Sequence, residues 1–545
     1  MWGSCQWTRN MHEILTLQLG QKSNYLATHF WNTQESYFTY STEQESLVDH
    51  DIHFRPGIGA DGTETFTPRT LIYDLKGGFG SLRKINALYE IDEPVTTDGL
   101  WNGPAVVQRQ ESIQQIPYQR SLEEGLEPPP LTSESVRYWS DFNRIYFHPR
   151  SIVQLNEYEL NSSLMPFENW GAGEELFSSL DKEHDLLDRD LRPFAEEADQ
   201  MQAIQIMSGI DDAWGGFAAR YMDRIRDEYG KTTVWFWGLE DNIKGIPRKC
   251  KEKRFLKVSN AAKSVSEIIP QASLFIPTTL PSSPLPGYVH LDLNSQWQIA
   301  GLYSAALESM TLPSRLKPRN GIRQTLDQIA ATLNANGNQI IAKLRMTVKQ
   351  NSHGSVSGND HSRSNVNSQD TDPRVSSRLT AMRGLGIGEE NNEVAKFDME
   401  FFPTEVLDQT RSRRTSSKIH VFGQAENYRG DEDDMEEVDR NDEGQERARR
   451  VAASLPLLSR THIPLPFPLL DSFPRIFTQS EQSAPLSIMT SLSTDTGVAS
   501  RVKSLQQIVN RAIGMDEREA LSNSLGEIAE AYQEGWNSDS DEDDD

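Results

Sequence analysis

The sequence predicts an α/β protein. Its first half is a doubly wound parallel sheet of the nucleotide-binding type, followed by a second α+β domain and interrupted by disordered acidic insertions. Three observations carry this. Residues 11–37 read as a strand, a glycine turn and a helix. Residues 203–237 read as strand, turn, helix and strand, the unit that sets two strands parallel. Beyond Lys349 the composition shifts to polar stretches and blocks of acid.

In the first unit, Ile14, Leu15, Leu17 and Leu19 fit a largely buried strand. Gly20 opens a turn with Gln21, Lys22, Ser23 and Asn24, after which Leu26, Phe30 and Trp31 recur at helical spacing. A polar turn between strand and helix is a ready phosphate site, because the first helical turn has free N–H groups and a positive dipole end. The same pattern also describes an ordinary βα turn. Residues 70–75 (TLIYDL) form a short strand ending in a glycine-rich turn at 76–80, and Ser81 is placed to cap a helix. Residues 123–130 are a proline-rich loop. Residues 138–159 are aromatic, and their first part reads as a helix that Pro149 interrupts. Gly171 and Gly173 have no strand before them and no basic residue after them, and read as a loop.

Residues 203–207 are a strand, 210–216 (IDDAWGG) a turn, 217–229 an amphipathic helix and 232–237 (TTVWFW) a buried strand. Residues 295–315 and 324–333 are helical. Residues 463–477 are apolar but broken by prolines, which predicts extended chain. Residues 502–536 hold at least one amphipathic helix. The expected organisation is an N-terminal extension (1–10), an α/β domain (11–290), a helical connection (291–348) and a disordered linker (349–373). Part of the second domain (374–426), an acidic segment (427–450), a C-terminal helical region (451–536) and an acidic tail (537–545) follow.

Apolar residues make up 36% of the 545, and the mean hydropathy is -0.60, as for a globular protein diluted by disorder. The net charge of -26 argues against direct nucleic-acid binding. Residues 431–446 carry ten acids and one arginine, and 539–545 six acids. Cys5 and Cys250 give no disulfide framework and fit a reducing compartment. His12, His29, His50, His53, His353 and His361 lack ligand spacing, so no metal site is expected. No apolar run approaches the ~18 residues that span a bilayer, and the first residues, with Arg9 alone basic, make a poor import signal.

Residues 11–21 (MHEILTLQLGQ), with Asn24 beyond, resemble the start of tubulins. Read through THFWN at 28–32, the stretch resembles the Misato family, a divergent tubulin-like group. Residues 69–83 (RTLIYDLKGGFGSLR), 139–158 (WSDFNRIYFHPRSIVQLNEY) and 295–315, ending in TLPSR, continue the resemblance in order across most of 11–345. The resemblance implies a tubulin-like fold and a role in mitochondrial distribution and inheritance, with partitioning of the organelle and its DNA at division. It implies protein partners, cytoskeletal or on the mitochondrial outer membrane, and a place on the cytosolic face of the mitochondrion and in the cytoplasm.

It also implies a comparison with the tubulin GTPase site. Tubulins cup phosphate with a run of glycines, GGGTGSG. Here the corresponding turn is Asp211, Asp212, Ala213, Trp214, Gly215 and Gly216. Two carboxylates there would repel a triphosphate. Gly20, Gln21 and Asn24 persist in the first turn, where Lys22 and Ser23 replace Cys-Gly. Asp74 stands near the magnesium position, and Lys76 is either a phosphate contact or a solvent-facing residue. Gly20, Gln21, Asn24, Asp74, Lys76, Gly215 and Gly216 are thus the expected remnant of a nucleotide site. Asn336 falls where tubulins carry a catalytic acid. The expectation is a non-enzymatic factor with no catalytic residue and no cofactor, binding GTP and magnesium weakly at most. The competing expectations are a polymerising GTPase and a chaperone-like adaptor.

Overall fold

The computed structural model describes residues 12–39, 45–59, 62–82, 113–242, 250–318, 323–334, 337–349, 397–403, 419–430, 457–478, 484–512 and 514–533. The chain begins with β1 (Ile14–Leu19), α1 (Gln21–Glu35), β2 (Phe54–Ile58), β3 (Glu64–Pro68), β4 (Thr70–Lys76), α2 (Pro117–Glu123) and β5 (Ile152–Glu159). It continues through α3 (Trp170–His184), α4 (Arg192–Glu196), β6 (Ala203–Gly209), α5 (Ala213–Glu228), β7 (Thr233–Leu239), α6 (Lys251–Ile268) and β8 (Leu274–Thr278). Then come α7 (Gln296–Thr311), α8 (Leu326–Leu333), β9 (Lys343–Val348), β10 (Met399–Glu400), β11 (Val421–Arg429), β12 (Leu457–Ile463) and β13 (Ile488–Asp495). Helices α9 (Gly497–Ala512) and α10 (Met515–Glu530) follow.

Six strands form a parallel sheet in the order β5-β4-β1-β6-β7-β8. The chain builds outward from β1 to β5, then returns beside β1 with β6. Strand order reverses there, and in such sheets the crevice at the carboxyl ends of the two central strands is where ligands bind. Both faces are covered, so the strands are apolar without strict alternation. In β7, Trp235 and Trp237 enter the core shared with α1 and α7, while Val234 and Phe236 enter the core shared with α5 and α6.

Helix α7 is apolar nearly all round, as a helix enclosed on every side must be. It packs against α1 and against β9, β11 and β13 of a second sheet. That sheet has the order β10-β9-β13-β11-β12, with only β11 and β12 parallel. Helices α9 and α10 cover α6 on the far face of the first sheet.

A buried charge network ties the second sheet to α7 and to the chain that follows α1. Glu308 of α7, fully buried, receives Arg315 at 2.7 Å and also Arg429 of β11. The Tyr37 hydroxyl donates to Glu308 at 3.0 Å and accepts from Arg429 at 2.8 Å. Burial alone would favour a neutral Glu308, but the two guanidiniums outweigh it and hold its pKa below the usual value.

Several elements differ from the sequence expectation. Helix α1 starts at Gln21 with no intervening turn, and α5 starts at Ala213, inside the expected turn. Residues 139–142 are a single 3-10 turn, and the stretch after Pro149 is the edge strand β5. Gly171 and Gly173 lie in α3, not in a loop. A Cβ on Gly173 would stand 1.7 Å from the Ala213 carbonyl oxygen, so close crossing of α3 over α5 is what that glycine serves. Residues 451–536 contain β12 and β13 ahead of the helices. Residues 464–477 form no helix and run largely as extended chain, bridged at Phe467–Leu486 and Val289–Phe477 and broken by a turn at 471–473, as the prolines predict. The N-terminal extension with Cys5, the helix after Ser81, Asn336, the 350–371 linker with His353 and His361, and both acidic runs lie outside the described residues.

Candidate functional site

The crevice between β1 and β6 is closed by the protein's own side chains. Strand β1 ends at Gly20, which has φ 84°, and its N–H donates to Tyr73 of β4 at 3.0 Å. The Trp214 indole lies on this glycine: a Cβ there would stand 2.3 Å from Nε1. Gly20 is therefore required twice, by its left-handed backbone and by the ring above it. Trp214 is only 6% exposed and packs edge-on against Phe167 and Phe217.

Beside the indole, two lysines and three aspartates form one ion network. Lys22 Nζ of α1 lies 2.5 Å from Asp211, 3.1 Å from Asp241 and 3.4 Å from Asp212. Lys257 Nζ of α6 lies 3.0 Å from Asp211 and 2.6 Å from Asp241. Burial disfavours a charged Lys22, but the three carboxylates overcome it and hold its pKa well above the ordinary lysine value. Lys257 is raised in the same way against burial and the neighbouring Lys22. Burial raises Asp212, while the two lysines outweigh burial and depress Asp241. Asp212 also caps α5, its Oδ1 accepting from the Trp214 N–H at 3.0 Å. The amide that would greet a phosphate is thereby occupied.

The seven expected residues do not converge as one pocket. Gly20, Gln21, Asn24 and Asp74 do come together. Asp74 Oδ2 accepts from Gln21 Nε2 at 2.5 Å and Asn24 Nδ2 at 2.7 Å, and its Oδ1 from the Leu75 N–H at 2.9 Å. Gln21 also donates to the Gly78 carbonyl at 2.7 Å. Asp74 is fully buried, and burial pushes its pKa up to about 7 against these donors. Lys76 sits exposed at the end of β4, outside both networks. Gly215 and Gly216 are packing glycines inside α5. A Cβ on Gly215 would stand 2.2 Å from Ser264 Oγ of α6, and one on Gly216 2.0 Å from the Trp170 carbonyl oxygen of α3. Asp211, expected to repel phosphate, is neutralised by two lysines instead.

Sequence reasoning did not foresee the roles of Lys22, Asp241 and Lys257. Lys22 and Asp211 are 189 residues apart, and only the strand order brings them together. No group of three or more metal-ligating side chains is present among the described residues.

The reversed strand order, the Gly20 turn into α1 and the enclosed helix α7 between two sheets define a tubulin-like α/β protein. Residues 12–124 match the Misato Segment II tubulin-like domain and residues 128–316 the Tubulin domain family. The chain belongs to the Misato family, whose fungal members are called Dml1. It is 52% identical to Protein dml-1 of Neurospora crassa, over 98% of this chain and 100% of that one. It is 49% identical to Protein dml1 of Aspergillus niger over 98% and 100% of the two chains. Against Protein dml1 of Schizosaccharomyces pombe, identity is 34% over 62% of this chain and 73% of that one.

Proposed function

We propose that this chain is a non-enzymatic tubulin-like factor for mitochondrial distribution and inheritance. It partitions the organelle and its DNA at division by binding protein partners on the cytosolic face. The observation that carries the non-enzymatic part is the closure of the switch-point crevice by Trp214 and by the Lys22–Asp211–Lys257 ion network. A triphosphate would have to displace a packed indole and strip two lysines from their carboxylates. The organelle role rests on the likeness of the sequence blocks to Misato proteins. Gly20, Gln21, Asn24 and Asp74 are read as the relic of a nucleotide site whose polar groups now satisfy one another.

Thermal melting with GTP and magnesium tests the first part. A ligand at a hundred times its Kd would add about 2.7 kcal/mol of stability, and no upward shift is expected at millimolar GTP. GTP turnover abolished by Asp74→Ala would overturn the reading in favour of a working GTPase, the role that the strand order itself would permit. Depletion in dividing cells tests the second part. Misplaced mitochondria and daughter cells lacking mitochondrial DNA are expected, and normal inheritance would refute it.

A further inference from the structure

Helix α6 opens with a dense positive stretch in a strongly acidic protein. Residues 248–257 carry six basic side chains and one acid, against a net charge of -26 for the chain. Lys251 and Lys253 are exposed and Arg254 is half-buried. Lys253 meets Glu168 at 3.3 Å in an exposed pair, and Lys251 and Arg254 have no carboxylate partner among the described residues.

An apolar stripe on the same helix overruns the body of the protein. Phe255, Val258, Ala262 and Val265 share one face at helical spacing. The last three are buried, while Phe255, one turn nearer the N-terminus, is 46% exposed. The loop from β5 to α3 adds Leu164 at 92% and Met165 at 55% exposure. That loop is held to α6, because Glu168 pairs with Lys253 and its carbonyl accepts from Asn260 Nδ2 at 2.7 Å. Lys257, locked to Asp211 and Asp241, fixes this end of the helix. Large apolar side chains standing out of the surface beside uncompensated cations need a partner that takes both.

We propose that this edge, built from Leu164, Met165, Lys251, Lys253, Arg254 and Phe255, docks on a bilayer that carries anionic headgroups. On this reading the lysines and arginine meet the headgroup phosphates and the three exposed apolar side chains enter toward the acyl boundary. Combining an apolar anchor with a basic patch supplies the two signals that stable membrane anchoring takes. An acidic protein would satisfy the cations but leave Leu164 without a pocket. No helix among the described residues is long and apolar enough to cross the membrane, so the contact is peripheral. This surface goes beyond the inheritance role and stands or falls separately from it.

Co-sedimentation of the full chain with vesicles is the test. One vesicle is phosphatidylcholine alone and the other contains about a third phosphatidylserine. The wild type is expected to pellet with the anionic vesicles and to be released as salt is raised. Lys251→Glu with Lys253→Glu and Arg254→Glu should weaken this at least about tenfold. Leu164→Ser with Met165→Ser and Phe255→Ser should weaken it several-fold. Both variants should melt within a degree or two of wild type, since the altered groups are exposed or half-buried. A fluorophore on exposed Cys250, in a Cys5→Ser background, should shift to the blue on anionic vesicles alone. Failure of the wild type to bind anionic vesicles would overturn the proposal. So would equal binding by all variants, or indifference to lipid charge. If charge reversal abolished association with mitochondria in cells while vesicles were ignored, an acidic protein would be the partner and the bilayer proposal would be wrong.

Discussion

Lys22 and Asp211 stand 189 residues apart in the chain and 2.5 Å apart in the fold. One side chain rises from the first turn of α1 and the other from the loop that enters α5, so the pair spans the point where the strand order reverses. Charges that in a nucleotide-binding protein would face a ligand here face each other. The crevice is shut by an attraction as well as by the bulk of Trp214.

Removing one partner should therefore cost stability. Lys22→Ala leaves Asp211, 1% exposed, with Lys257 alone, and should destabilise by about 3 kcal/mol. Lys22→Ala combined with Asp211→Asn should cost less than the sum of the two single substitutions, which a double-mutant cycle in urea would measure. Additive losses would mean that the pair is not coupled.

The glycines of α3 and α5 can be told apart by their surroundings. Gly216→Ala places a methyl 2.0 Å from the Trp170 carbonyl and should cost at least about 1–3 kcal/mol by forcing α3 away. Gly171→Ala meets nothing closer than 3.6 Å and should be neutral or stabilising by up to about 1 kcal/mol. Chemical denaturation of the two variants side by side checks the contrast. A neutral Gly216→Ala would return that residue to the role of a loop glycine.

Glu308 holds two arginines from different parts of the chain. Glu308→Ala strands Arg315 and Arg429 in a dry site and should cost about 3–5 kcal/mol. Thermal melting should show a loss far larger than for removal of the exposed pair Lys317–Glu45, which water already screens.

Two groups give stability a falling pH dependence over separate ranges. His12 is raised from 6.5 to about 9, chiefly by its hydrogen bond with Asp49 and then by Glu13. The folded state holds that proton more tightly than the unfolded chain. The stabilisation is therefore full below pH 6.5 and lost as pH rises through about 9. Asp74 is raised from 3.8 to about 7 by burial. Its neutral form is favoured in the fold, so stability drops between about pH 4 and 7 as it ionises. His12→Gln should flatten the upper range and Asp74→Asn the lower. Urea midpoints across pH 4–10 would show whether either slope survives its substitution.

How much of this was legible depended on the range of the signal. The β1–α1 unit and the β6–α5–β7 unit are written in short periodic runs, and all five elements are present around Leu17, Phe30, Ala203, Tyr221 and Trp235, with α1 and α5 beginning inside the turns expected before them. Strand β5 was hidden because its edge position leaves Gln154, Asn156 and Glu157 polar, with no alternation to read. Helix α3 was hidden because Gly171 and Gly173 lower helix propensity, a cost that close packing on Ala213 overrides. The burial of Lys22 and Lys257 was not legible either. Nothing local marks a lysine whose carboxylates lie in the loops that follow other strands.

The position of β13 bears on how the protein is made. It lies at the centre of the second sheet, between β9 and β11, although its residues are Ile488–Asp495. Helices α9 and α10, which cover α6, come later still. A nascent chain therefore leaves the ribosome with one sheet missing its middle strand and the other missing its cover. Neither layer can settle before translation of this region is complete, so a chain cut short ahead of Ile488 would lack what completes both.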